Sequence, residues 1–149
     1  MLQQTAVHAL RVMAYIAEHD HQGPVQSREI AAETGVPRNY LSKIANRLVQ
    51  AGLLMSARGT NGGFTLARPA AEISLKEVAG LFMDLGSHER CFLHQRWCDG
   101  TCRLHQDWSS VAAGLRSLLQ NRTIDQLKDT CPPGITASTP IATPTIQAQ

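Results

Sequence analysis

Cys91, Cys98 and Cys102 fall within twelve residues, separated by six and three, and His105 follows after two more. Thiolate sulfur is a soft donor that selects iron–sulfur clusters, zinc or copper(I), and an imidazole can replace one thiolate. Three thiolates and one nitrogen therefore fit either a cluster or a tetrahedral zinc ion. The spacing lacks the regular two-residue knuckle on both sides, which counts against zinc. A set containing histidine leans towards [2Fe–2S] over [4Fe–4S]. Asp99 and Gly100 form a turn pair able to fold the chain so that Cys98 and Cys102 converge. The competing reading is three reduced thiols packed as small hydrophobes, but the loop SHERCFLHQRWCDGTCRLHQDW is too polar for that. Cys131 lies apart, in a different segment, and is not counted as a ligand.

A second group of residues suits a polyanion. The formal net charge of the 149 residues is only +2, but it is unevenly placed. Residues 1–69 carry seven Lys/Arg against four Asp/Glu, and residues 70–149 carry seven against eight. Between Glu33 and Glu72 there is no acid, while Arg38, Lys43, Arg47, Arg58 and Arg68 are all positive. A one-signed stretch like this raises the local concentration of a polyanion such as nucleic acid. Charge alone would equally allow a solvated basic face. The elements that carry the charge decide between the two.

Val7, Leu10, Met13, Ala14 and Ala17 recur at helical spacing and predict a first helix over about 3–19. Gly23 and Pro24 break it. Ser27 is placed to cap a second helix, SREIAAETG, which Gly35 ends by accepting a left-handed conformation. Pro37 suits the first turn of a third helix, PRNYLSKIANRLVQAG, where its missing N–H costs little. Ala31, Gly35 and Leu41 supply the steric logic of a helix-turn-helix: a small residue at the crossing, a glycine in the turn and a leucine driven into the core. Gly52 closes the third helix, and LLMSARGTNGGFTLARP then reads as two short strands around a glycine-rich tip. A hairpin directly after such a helix is a wing.

In that geometry the third helix enters the major groove by its N-terminal end. Arg38 is matched to guanine, Asn39 to adenine and Ser42 to either, while Lys43 and Arg47 are placed for phosphate. Tyr40 reads equally well as a contact or as a packing residue. Leu41, Ile44 and Leu48 should face inward. Ser27 and Arg28 at the start of the second helix, and Arg58 and Thr60 on the wing, complete the expected DNA-binding set.

Beyond Pro69, Ser74 and Glu77 have the spacing of a capping box, with Ile73 able to staple against Val78. After the cysteine loop, Trp108, Val111, Ala112, Leu115, Leu118 and Leu119 mark an apolar face of a long helix. A helix of that length with so little else to pack against is expected to meet its own copy in a two-fold dimer. Thr123 and Gln126 suggest a second capping box before a short last helix, TIDQLKD. The remainder is uncharged and rich in Pro and Thr, as in a flexible tail. The expected organisation is thus a winged helix-turn-helix domain over 1–69, a cysteine loop and dimerisation helix over 70–129, and a tail over 130–149. The fold class is mainly α with a small β-hairpin wing.

NYLSKIANRLVQAGLLMSARGTNGGFTL together with a three-cysteine loop ending CRLHQDW resembles the Rrf2-type family of bacterial winged-helix regulators, over about Leu2 to Lys128. The resemblance implies a homodimer on a palindromic operator whose affinity changes with cluster state. It places the cluster cysteines on Cys91, Cys98 and Cys102 and the histidine that is fourth ligand in some members on His105. It also places the wing arginine on Arg58 and recognition-helix contacts on Pro37, Asn39 and Ser42. Three departures stand out. Pro37 cannot donate a hydrogen bond, the Cys98–Cys102 gap is short, and Val7 occupies a position where some members carry a carboxylate ligand given by the partner subunit. His8 is adjacent, but one helical step turns a side chain by ~100°, so donation from His8 of a partner is less favoured than simple packing.

The function expected is that of a DNA-binding regulator, a repressor sensing iron, redox state or nitric oxide. A zinc-stabilised or thiol-based regulator of the same fold is the alternative. No nucleophile is paired with an oriented base, so an enzyme is not expected. No run of ~18 apolar residues suggests a membrane span, and the N-terminus lacks the basic and apolar regions of a secretory signal. A cytoplasmic protein is expected.

Overall fold

A computed structural model describes residues 2–59, 62–86 and 100–127. Thr60, Cys91, Cys98, Cys131 and the expected tail lie outside these residues. Among these residues five helices and one hairpin follow in order: α1 (Gln4–His19), α2 (Ser27–Thr34), α3 (Arg38–Gln50), β1 (Leu54–Ala57), β2 (Gly63–Leu66), α4 (Leu75–Gly80) and α5 (Arg103–Asn121). Short 3-10 turns occupy Asp20–Gln22, Ala70–Glu72 and Ile124–Leu127. The architecture is mainly helical, with one two-stranded antiparallel hairpin.

The core forms around α1, which packs against α2, α3 and α4 and against the turn at Ile124–Leu127. Its buried residues are Ala6, Ala9, Val12, Met13, Ile16 and Ala17. The expected stripe is therefore corrected: Met13 and Ala17 are buried, but Val7, Leu10 and Ala14 are only half-buried. So many residues of α1 are apolar that periodicity permits two adjacent stripes. Small alanines at 6 and 9 win the inward one because they let neighbouring helices approach.

The helix-turn-helix forms as its residues dictate. Gly35 adopts φ 69° and its N–H reaches the Ala31 carbonyl, ending α2. Leu41, Ile44, Ala45 and Leu48 bury one face of α3, and Gly52, at φ 71°, turns the chain into the hairpin. Ser27 corrects its expectation: Gln26 holds the cap position, no side chain caps α2, and Ser27 is the first helical residue. Likewise Pro37 sits one place earlier than expected, at the cap of α3.

Leu54 pairs with Leu66 and Ala57 with Gly63 across the hairpin. A third segment, unforeseen from sequence, joins it: Val25 exchanges two 2.9 Å backbone hydrogen bonds with Phe64. A Cβ on Gly63 would run into the Val25 carbonyl, and one on Gly62 into that of Ala57. The paired glycines are thus imposed by close backbone approach.

Each C-terminal capping box forms by half. The Ser74 hydroxyl accepts from the Glu77 amide at 3.2 Å, but the Glu77 carboxylate is taken by Arg68 at 2.5 Å. At the other box the Gln126 side chain accepts from the Thr123 amide at 3.4 Å, while the Thr123 hydroxyl turns to Asp125. The expected last helix is accordingly a 3-10 turn. It closes against α4 through Leu75 N–H to Arg122 and Ile124 N–H to Ile73, both 2.9 Å.

Candidate nucleic-acid interface and sensing loop

The exposed end of α3 is organised by its first turn. Amides of Tyr40 and Leu41 donate to the Pro37 carbonyl at 2.9 and 2.8 Å, and the Asn39 Oδ1 also accepts from the Tyr40 amide at 2.9 Å. With Leu41, Ile44 and Leu48 anchored inward, Arg38, Asn39, Ser42 and Lys43 are exposed. The Ser42 hydroxyl donates to the Arg38 carbonyl at 3.0 Å, which leaves its oxygen lone pairs pointing outward as acceptors. Asn46 continues this face, three residues beyond Lys43, and is exposed. It escaped the sequence reading, although its spacing from Ser42 and Lys43 was the signal.

Tyr40 and Arg47 share a different flank of α3, two turns apart. The Tyr40 hydroxyl lies 2.5 Å from that of Thr5, and the ring meets His8 edge-on with centroids 5.8 Å apart. Of its two expected roles, the structure gives Tyr40 the packing one. His8 takes the packing role that the sequence favoured for it, at the α1–α3 junction. Burial, and then the Arg11 charge, hold its pKa below the usual histidine range, and its Nδ1 is buried with no hydrogen-bond partner among the described residues. Arg47 is exposed but its guanidinium lies 5.4 Å from the centroid of Phe82. That contact joins α3 to the segment after α4.

Ser27 and Arg28 are exposed at the start of α2. Beside them the Tyr15 hydroxyl donates to Glu29 at 3.0 Å, and burial followed by that bond pushes the phenol pKa well up. Arg58 is exposed where β1 ends. The candidate interface therefore comprises the N-terminal end of α3 and a wing shoulder, both on the acid-free stretch between Glu33 and Glu72, with the start of α2 just before it.

Of the four expected ligand residues, Cys102 and His105 are described. Cys102 occupies the cap position of α5, where its Sγ accepts from the His105 amide at 3.2 Å. The structure starts α5 at Arg103, so both donors belong to its first turn. The His105 ring is half-buried and turned back on the loop: a Cβ built on Gly100 would stand 3.7 Å from its Nε2. An exposed thiol and an imidazole on one face of a helix end fit a mixed sulfur–nitrogen ligand set. Among the described residues no three ligating side chains converge, Cys91 and Cys98 being outside them.

Along α5, Ala112 and Leu119 are buried, and Leu115 packs partly against the core. Leu104, Val111 and Leu118 instead remain 43, 61 and 54% exposed. The apolar face expected of this helix is therefore two faces, one for its own chain and one left uncovered. Among the described residues no helix is long and apolar enough to cross a membrane.

The family model of Rrf2, described as an iron-dependent transcriptional regulator, matches residues 2–130. The regulator IscR of Pectobacterium carotovorum is 30% identical over 122 residues, covering 80% of this chain and 74% of its own. CymR, the global cysteine regulator of B. subtilis, has the same fold, with a TM-score of 0.76 at 20% identity over 89% of this chain and 98% of its own. The oxidised form of Staphylococcus aureus CymR gives 0.69 at 26% identity over 87 and 96%. These are regulators of transcription, not enzymes, and their winged-helix architecture is the one described above. A helix-turn-helix with an arginine-bearing wing and a cysteine-led α5, matched by that model over most of its length, makes this chain a member of the Rrf2 family of DNA-binding transcriptional regulators.

Proposed function

We propose that the chain works as a homodimeric repressor on a palindromic operator, and that Cys91, Cys98, Cys102 and His105 hold an iron–sulfur cluster whose state sets the affinity for DNA. The observation that carries this reading is the position of Cys102 and His105 in the first turn of the helix that exposes Leu104, Val111 and Leu118. With Trp108 and Leu115, both half-buried, these residues recur at alternating spacings of three and four, the seam that a second helix covers. A second copy offers the same seam, as a two-fold dimer requires.

When bound, the cluster supplies a redox couple and iron that small molecules such as nitric oxide can reach. The protein supplies leverage. Cys102 caps α5, so any change in the sulfur's partners acts on the start of the helix. Rotation of α5 against its copy alters the separation of the two recognition helices. Half-sites lie about one DNA turn apart, so a small change in separation is felt at both. Arg38, Asn39 and Ser42 would read base edges, with Lys43, Arg47, Arg58 and Thr60 on phosphate or in the minor groove. Ser27 and Arg28 would hold the backbone beside α2.

Anaerobic purification with iron, sulfide and zinc analysis tests the cofactor. The expected protein is coloured and contains iron and sulfide, and Cys98→Ala loses both while remaining a folded dimer. Colour that survives Cys98→Ala overturns the ligand set. A second reading, thiol-based sensing without iron, is favoured by the solvent exposure of the Cys102 thiol. Colourless protein whose DNA affinity follows thiol oxidation selects that reading, and one zinc per chain selects a zinc-stabilised regulator.

A further inference from the structure

The Arg47 guanidinium of the recognition helix lies over Phe82, in the segment that leads into the cysteine loop. Phe82 is firmly borne. Its amide and that of Met83 both donate to the Ala79 carbonyl at 3.0 Å, and Met83 is buried. Two residues on, the Asp84 carboxylate accepts from the Gly86 amide at 2.9 Å, five residues before Cys91. Gln3, Arg47, Phe82, Met83 and Asp84 line one open cleft between the start of α1, α3 and the end of α4. A guanidinium over an aromatic face keeps its N–H groups, which lie in its own plane, available to another acceptor. Meanwhile the ring limits the rotamers of a long, exposed side chain.

We propose that Phe82 is a positioning residue for DNA binding: it holds the Arg47 guanidinium ready for a backbone phosphate, and through it the segment entering the cysteine loop acts directly on α3. The second clause rests on the sensing role proposed above; the first does not. The route differs from rotation of α5, because it runs within one chain and needs no movement of the partner.

The test is a double-mutant cycle on the full chain, with a duplex selected from a random-sequence library by the wild-type protein. Arg47→Gln is expected to weaken binding and to reduce the salt slope by about one. Phe82→Leu keeps an apolar side chain but removes the ring, and is expected to weaken binding about twofold to fivefold, the range of an exposed cation–π contact. On the Arg47→Gln background the same change should do nothing further, and Phe82→Trp, which keeps an aromatic face, should restore wild-type affinity. Equal losses from Phe82→Leu with either residue at 47, equal losses from Phe82→Leu and Phe82→Trp, or no loss at all, each overturn the positioning role. Repeating the cycle with Cys98→Ala tests the coupling: the Arg47–Phe82 interaction should change in size. An unchanged interaction overturns the route, whereas wild-type and Cys98→Ala proteins that bind DNA alike sink the sensing reading and leave the positioning role to the cycle.

Discussion

Asn39 and Tyr40 are neighbours in the chain, yet they serve opposite sides of α3. Asn39 is exposed on the face that carries Ser42 and Lys43, whereas Tyr40 reaches back to Thr5 and His8 on α1. One helical step of ~100° accounts for the difference. Tyr40→Phe is therefore expected to cost about 1 kcal/mol of stability, the net worth of one hydrogen bond, with DNA affinity unchanged. Asn39→Ala should leave the denaturation midpoint nearly in place and weaken specific binding by about 1–3 kcal/mol, as for loss of a bidentate base contact. Denaturant titration and fluorescence anisotropy on the same duplex separate the two; a Tyr40→Phe protein that loses as much affinity as Asn39→Ala returns Tyr40 to the DNA surface. Residue type alone left Tyr40 ambiguous because a phenol serves an interface and a helix crossing equally well.

Helix α5 carries two apolar faces with different obligations. Leu119 is 1% exposed and belongs to the core of its own chain, while its neighbour Leu118 is 54% exposed. Leu119→Ala is expected to cost about 2–5 kcal/mol by opening a cavity, with the oligomeric state unchanged wherever the protein remains folded. Leu118→Glu should instead give a folded monomer, since it places a charge in the seam offered to the second copy without disturbing the core. Sedimentation and thermal melts check both, and a Leu118→Glu protein that stays dimeric removes α5 from the interface. The wing shows the same division of labour at smaller scale. Its two strands were legible from the glycine-rich tip Gly59-Thr60-Asn61-Gly62-Gly63 between them, but the pairing with Val25 was not, because a single bridge residue has no periodicity. The Gly63 Cβ clash with Val25 was the physical reason for a glycine already visible in the sequence.

For the whole molecule, buried residues from both sides of residue 69 share one core. Ile73, Val78, Leu119 and Ile124 are all fully or almost fully buried in the same cluster as Ile16, Leu41 and Leu48. A fragment of residues 1–69 is therefore expected to lose cooperative unfolding and near-ultraviolet circular dichroism, because α1 would expose the face that α4 and the Ile124–Leu127 turn cover. Native-like signals from that fragment would make the N-terminal half an autonomous domain. The sequence by itself determined the helix-turn-helix, the hairpin, the acid-free stretch and the cysteine spacing, because each depends on local φ/ψ preference, short-range periodicity or residue chemistry. Only the tertiary structure decided which stripe of α1 is inward, that Ser27 caps nothing, that α5 shows Leu118 outward, and that Phe82 lies over Arg47. Those outcomes follow from which elements meet at distances of many residues, and no local preference encodes a neighbour that has yet to arrive.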